Sequence, residues 1–145
     1  MAKQLCPEAI VLRGNSGTYT KFSKLVTEII KEEVPLYEKS SIDEFYIDLT
    51  GMDKFFGCYK LASHIRERIV KETGLPISFG MSINKTVSKI ATGEAKPNNQ
   101  LNIDLGLEKP FLAPLPNCCR SLGNCWRGIQ HLPKVLCLRI FQSWT

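Results

Sequence analysis

Apolar positions along the first hundred residues switch between helical and extended spacing, and the switches outline the fold. Ala9–Leu12 is a short apolar run closed by Gly14, which reads as a strand. Beyond the polar NSGT, Phe22, Leu25, Val26, Ile29 and Ile30 keep the i, i+3, i+4, i+7, i+8 spacing of one buried helical stripe. Ser16 or Thr18 is placed to cap that helix and Pro35 to stop it. Leu36–Lys39 and Phe45–Leu49 read as two extended segments. A second amphipathic helix spans Phe55–Thr73. Phe55, Tyr59, Ala62, Ile65 and Ile69 lie on its apolar side, and Arg66, Arg68, Lys71 and Glu72 are exposed. Gly74 and Pro76 end it, and residues 75–83 (LPISFGMSI) follow as a strand. Gly80 inside that strand signals a close approach by another backbone or a ligand. Residues 84–97 form a third helical segment, with Val87, Ile90 and Ala91 apolar and Lys85, Lys89 and Lys96 basic. The order β, α, ββ, α, β, α predicts an α+β fold: an antiparallel-rich sheet with helices packed on one face.

Composition changes this picture little. A chain of 145 residues with 43% hydrophobic and 23% charged residues suits one modest globular domain. No apolar run approaches the roughly 18 to 20 residues that would cross a bilayer, and the opening MAKQLCPEAIVL has no secretory core. The expected location is the cytoplasm, with no membrane partner. The net charge of +5 is unevenly placed. Residues 1–112 carry 15 Lys+Arg against 14 Asp+Glu, a net of +1, whereas Arg120, Arg127, Lys134 and Arg139 lie in a tail without acids. Bulk charge therefore says little about the body of the protein. Cys6 and Cys58 sit in apolar settings as reduced core cysteines. Cys118, Cys119, Cys125 and Cys137, with His131 among them, lack the paired Cys-x-x-Cys spacing of a zinc site.

The chemistry concentrates in KSSIDEFYIDLTG, residues 39–51. Asp43 and Glu44 stand where a core strand begins, and neighbouring residues of a regular strand point to opposite faces. The pair is expected at a strand end or bend, where both carboxylates reach a common point. Held close, they repel and raise one another's pKa. A hard divalent cation such as Mg²⁺ removes that penalty and still keeps waters and substrate phosphates. A solvated acidic hairpin edge is the plainer alternative. Lys96, before Pro97, is a candidate phosphate contact or else a snorkelling surface lysine. Asn84 and Lys85 open a helix whose N-terminus suits phosphate, and Lys85 and Lys89 at i, i+4 also fit a solvated helix face.

SSIDEFYIDLTG resembles the acidic strand motif of the Y-family, lesion-bypass DNA polymerases. SFGMSINKTVSKIATGEAKPNN is similar to that family's Asn-Lys…Lys-Pro-Asn segment, and MAKQLCPEAIVL to the stretch leaving its fingers for its palm. Order and spacing agree over about residues 2–115, and Asn84-Lys85 with Lys96-Pro97-Asn98 favours the DNA polymerase IV branch. The resemblance implies residues 1–14 as the end of the fingers, 15–112 as the palm, and 113–145 as an atypical, irregular tail in place of the thumb. It implies Asp43 as a ligand of two catalytic Mg²⁺ ions and Glu44 as the second palm carboxylate, beside the primer 3′ hydroxyl. Lys96 would contact the triphosphate of a dNTP. Asn84, Lys85 and Lys89 would be further DNA or phosphate contacts, and Ser41 would shape the turn that presents the pair. Asp48 is expected to be structural, since four residues along a strand span about 13 Å. The partners implied are primer-template DNA, a dNTP and, as a candidate, a sliding clamp. The reaction implied is attack of the 3′ hydroxyl on the α-phosphate, with pyrophosphate leaving, in error-prone translesion synthesis during DNA repair.

The chain departs from the family at both ends. It starts beyond the strand that carries the family's first metal-binding Asp, so it is expected to be truncated and to have little or no activity alone. After FLAPL the tail has no acids and no helical periodicity. Codons for NCCRSLG can be chosen so that a neighbouring frame reads Leu-Leu-Gln-Ile-Pro-Gly, which suggests a frameshifted tail that does not fold. Two other readings compete: a non-catalytic remnant that binds damaged or primer-template DNA, and another palm-like enzyme such as a nucleotide cyclase. The Asn84-Lys85 to Lys96-Pro97 segment argues against the cyclase.

Overall fold

The computed structural model describes residues 2–10, 16–52, 57–115 and 135–140. A short helix α1 (Ala2–Leu5) precedes a long helix α2 (Ser16–Glu33). Strands β1 (Tyr37–Lys39) and β2 (Glu44–Asp48) follow, then helix α3 (Cys58–Thr73) and strand β3 (Ile77–Ser82). Helix α4 (Lys85–Glu94), strand β4 (Gln100–Asn102), helix α5 (Glu108–Leu112) and strand β5 (Val135–Ile140) complete the order.

The body follows the apolar periodicity closely. Val26, Ile29 and Ile30 are the buried stripe of α2, while Leu25 at the margin stays 39% exposed. The helix already includes Ser16, so neither Ser16 nor Thr18 is its cap. It ends at Glu33, two residues before Pro35. In α3, Cys58, Ala62, Ile65 and Ile69 are buried, and Gly74 closes the helix at φ 71° with its N–H on the Val70 carbonyl. The expected start of this helix at Phe55 falls outside the described residues. Arg66 and Arg68 are half-buried rather than exposed, because each has carbonyls or carboxylates to reach. Arg66 donates to the carbonyls of Ile77 and Asn98. Arg68 reaches Glu32 and Glu33 of α2 and Glu72 of its own helix, tying the two helices together. Near the start of the chain, Ala9 and Ile10 are exposed and not in a strand, and Leu12 lies outside the described residues. Cys6 is exposed too, whereas Cys58 is buried as expected.

The sheet runs β1-β2-β5-β3-β4, with every pair antiparallel except β3–β4. The antiparallel-rich mixed class is as expected from the element order. One face carries the main core, where Phe45, Ile47, Leu136, Leu138, Ile77, Phe79 and Met81 meet the stripes of α2 and α3. The alternate residues of the same strands face the other way, and there α4 packs, a helix on the second face that the sequence order alone does not place. Gly80 makes this possible: a Cβ there would stand 2.4 Å from the Ser88 carbonyl oxygen and the Thr92 nitrogen of α4. The glycine in the strand thus marks an approaching helix backbone. The Ser88 and Thr92 hydroxyls in turn donate to the carbonyls of Val135 and Cys137.

The largest difference concerns the tail. Val135–Ile140, in a segment whose composition suggests no fold, is the central strand of the sheet. Its physical basis is a run, VLCLRI, that is apolar on both pleat faces, as a strand covered on both sides requires. Leu136 and Leu138 enter the main core at 0% exposure, and Val135 and Cys137 join Tyr46 under α4. The strand bridges β2 and β3, whose facing edges would otherwise carry unpaired backbone groups. The remaining tail cysteines and His131 lie outside the described residues. If β5 holds the core as described, Leu138→Ala costs about 2–5 kcal/mol in urea unfolding, the range for a large-to-small change in a packed core. An unchanged midpoint would mean that the tail is not part of the folded unit.

Candidate functional site

The acid pair sits where the chain bends into β2. The backbone N–H groups of Ser40 and Ser41 both donate to the Glu44 carbonyl, at 3.0 and 3.3 Å. The Ser23 hydroxyl of α2 holds the turn from behind by donating to the Ile42 carbonyl at 2.6 Å. Lys39 donates to that same hydroxyl and lies over the Phe45 ring. The turn lifts Asp43 out of the strand alternation, which leaves Glu44 to begin β2 on the α4 face. Both carboxylates can then serve one corner of the molecule.

All four oxygens of the pair have partners within the chain. Asp43 Oδ1 accepts from the Ser41 hydroxyl at 2.6 Å, and Oδ2 from Arg139 Nε at 3.2 Å. Glu44, whose side chain is 8% exposed, takes Lys89 Nζ at 3.0 Å on Oε2 and the Cys137 thiol at 3.7 Å on Oε1. The pairing register explains the geometry. Arg139 stands opposite Glu44 on one side and Ser78 on the other, and Cys137 lies between Tyr46 and Gly80. Lys96 shares this field. Burial and the Arg139 charge press its pKa down, against the pull of Asp43 and Glu44. Burial also raises the Asp43 carboxyl, but the Ser41 hydroxyl and the Arg139 guanidinium outweigh it and hold the group below its ordinary range. Burial, with the Glu44 charge adding to it, pushes the Cys137 thiol up to about 12, so it is a neutral donor and not a reactive thiolate.

The expected site residues therefore divide. Asp43, Glu44 and Lys89 come together, and Lys96 feels the charges of both carboxylates. Asn84 caps α4, its Oδ1 accepting from the Val87 N–H at 2.8 Å, and so does structural work at a helix N-terminus. Lys85 lies one turn before Lys89, pairs with Glu38 and sits 5.4 Å from the centre of the Tyr46 ring. Asp48 accepts from the Thr50 backbone N–H at 2.8 Å and from its hydroxyl, a local turn role. Arg139 and Cys137 were not legible as site residues, because the tail around them carries no family motif. The one available signal was an arginine inside an otherwise apolar six-residue run.

Magnesium, the metal of the resemblance, is tested by these oxygens. Carboxylates are the right donors for a hard cation. As arranged here, each already accepts from a cationic side chain, and among the described residues no group of three or more His, Cys, Asp or Glu gathers to hold a metal. The donor set in this arrangement does not fit the ion.

Comparison with known proteins agrees with the motif reading. A sequence profile of the impB/mucB/samB family matches residues 1–93. The chain belongs to this family, the Y-family of DNA polymerases. DNA polymerase IV of Dehalococcoides mccartyi is 41% identical over 115 residues, covering 79% of this chain and 30% of that protein. DNA polymerase IV of Treponema denticola is 39% identical over 116 residues, again 79% of this chain and 29% of the relative. The chain thus corresponds to less than a third of the length of these curated relatives. Among solved structures, a ternary complex of Dbh with its substrates partially disordered superposes with a TM-score of 0.67 at 28% identity, over 90% of this chain and 41% of Dbh. DinB from Sulfolobus solfataricus gives 0.66 at 25% identity, over 86% of this chain and 40% of its own.

The lowered Asp43 pKa fixes the sign of a pH effect. A carboxylate stabilised in the folded state contributes stability above its unfolded value, near 3.9, that is lost as pH falls through the lower folded value. Asp43→Asn is expected to reduce stability at neutral pH and to flatten the loss of stability below about pH 4 in urea titrations. Parallel curves for the two proteins would show that Arg139 and Ser41 do not stabilise the charged form.

Proposed function

We propose that this chain is the palm portion of an error-prone DNA-directed DNA polymerase that transfers a dNTP onto a primer 3′ end during DNA repair. In this reading residues 15–112 are the palm and residues 1–14 lead into it from the fingers. The observation that carries the proposal is the adjacent Asp43–Glu44 pair at the bend into β2, with Lys96 in its electrostatic field, within a chain of this family. Carboxylates in the field of a partly buried lysine suit a triphosphate whose negative charge must be balanced on several sides. Asp43 and Glu44 are the carboxylates this reading assigns to Mg²⁺, which would supply charge neutralisation only where the Arg139 and Lys89 contacts that close them to the ion here are removed. Lys96 is the residue for the triphosphate, and Lys89 holds Glu44 in place. Primer-template DNA and a dNTP are the partners, and the cytoplasm is the compartment. Among the described residues no helix is long and apolar enough to cross a membrane.

The same geometry argues that this chain is inactive by itself, because its carboxylate oxygens are engaged by Arg139, Lys89, Ser41 and Cys137. A non-catalytic remnant that holds primer-template DNA is the second reading, favoured by that engagement. A chimera separates the two. Residues 1–115 are placed in the corresponding region of the Dehalococcoides mccartyi polymerase, and primer extension is followed. The chimera is expected to extend a primer, while the isolated chain gives no extension. Asp43→Ala or Glu44→Ala in the chimera is expected to cut the rate on the order of 10²-fold or more, as for removal of a charge-stabilising group. Lys96→Ala is expected to act chiefly on the KM for dNTP. A folded chimera that binds DNA without extending it would support the remnant instead.

A further inference from the structure

Strand β5 brings more than backbone to the sheet. Two of its side chains, Cys137 and Arg139, face the acid pair across the β2 register and occupy one oxygen of each carboxylate. The remaining two oxygens are held by Ser41 and Lys89. We propose that Arg139 is the resident cation of this site: β5 locks the Asp43–Glu44 pair in a charge-neutral, metal-free state. The pair takes a divalent ion only when that strand's guanidinium is removed.

The argument is one of charge and coordination. Two adjacent carboxylates at the rim of a core need positive charge nearby. A guanidinium and an ammonium already supply it, one per carboxylate. A divalent ion entering the same corner meets the repulsion of Arg139 and Lys89. It must also compete for oxygens that each already accept one hydrogen bond within the chain. Arg139 is the more decisive of the two, since it sits on the outer carboxylate, Asp43, where a solvated ion would make first contact. Its side chain is 42% exposed and that of Asp43 is 29% exposed, so the contact lies at the surface and can open without unfolding the core. The thiol adds to the lock in its neutral form, donating to Glu44 rather than repelling it.

The inference rests on the polymerase reading only for the choice of a divalent ion. Mn²⁺ serves as the probe, because its paramagnetic resonance signal is lost from the free aqua ion on binding. The unaltered full chain is expected to retain no more Mn²⁺ than Asp43→Asn. Arg139→Gln and Arg139→Ala, checked for folding by circular dichroism, are expected to bind at least about tenfold more tightly, because a repelling unit charge at close range is gone. Arg139→Lys, which keeps the charge, is expected to stay closed. Equal Mn²⁺ affinity in the unaltered chain and Arg139→Gln overturns the proposal. A measurement free of any change in β5 does so as well: saturable Mn²⁺ binding by the unaltered chain that Asp43→Asn abolishes. That outcome leaves the activity of the chimera untouched. Conversely, an inactive chimera defeats the polymerase reading and leaves the Mn²⁺ result standing.

Discussion

Two negative charges at the edge of a hydrophobic core dominate the arrangement of this protein. Glu44 is the first residue of a strand whose next three positions are buried, and Asp43 precedes it at a bend. Charge in that place is costly unless it is paired and hydrogen-bonded. The molecule meets the requirement from three directions. A turn pinned by Ser23 aims Asp43 outward, α4 extends Lys89 over the sheet, and β5 carries Arg139 to the rim. The helix on the second face depends in turn on Gly80, since any side chain there would push α4 and its lysine away from the carboxylates. Fold and site are therefore one problem, in which the packing that admits α4 also delivers the cation that Glu44 needs.

Much of this was readable from the residues. The stripes of α2 and α3, the strand around Gly80 and the acidic turn follow from spacing and from the known preferences of glycine, proline and carboxylates. Local rules suffice there because each element buries one regular face. They fail where tertiary context decides. Arg66 and Arg68 look like solvent-facing charges on a helix, yet carbonyls and carboxylates of neighbouring elements draw them inward. Ala9–Ile10 looks like a strand but pairs with none of the described strands, and Cys6 near it is exposed.

The tail shows the same limit more sharply. Its composition, without acids and crowded with cysteines, suggests no fold, and no helical period runs through it. A central antiparallel strand needs none of these features. It needs six residues acceptable on both faces and two neighbours with open edges, and VLCLRI meets both conditions between β2 and β3. Arg139 in that run could not be recognised as a site residue beforehand, because its partner is nearly a hundred positions away in the chain. The acid pair at the bend was legible and its present counter-ion was not. The motif resembles that of a metal and triphosphate site; what the folded chain presents is an acid pair already neutralised by Arg139 and Lys89.

The central claim, that Arg139 and Asp43 are energetically coupled and not merely adjacent, is tested most directly by a double-mutant cycle. Unfolding free energies are measured for the unaltered chain, Asp43→Asn, Arg139→Gln and the double variant. For a partly exposed pair in a defined hydrogen bond, the account predicts a favourable coupling of about 0.5–1 kcal/mol, shrinking with added salt. Strict additivity of the two changes, at low salt as well as high, would contradict it.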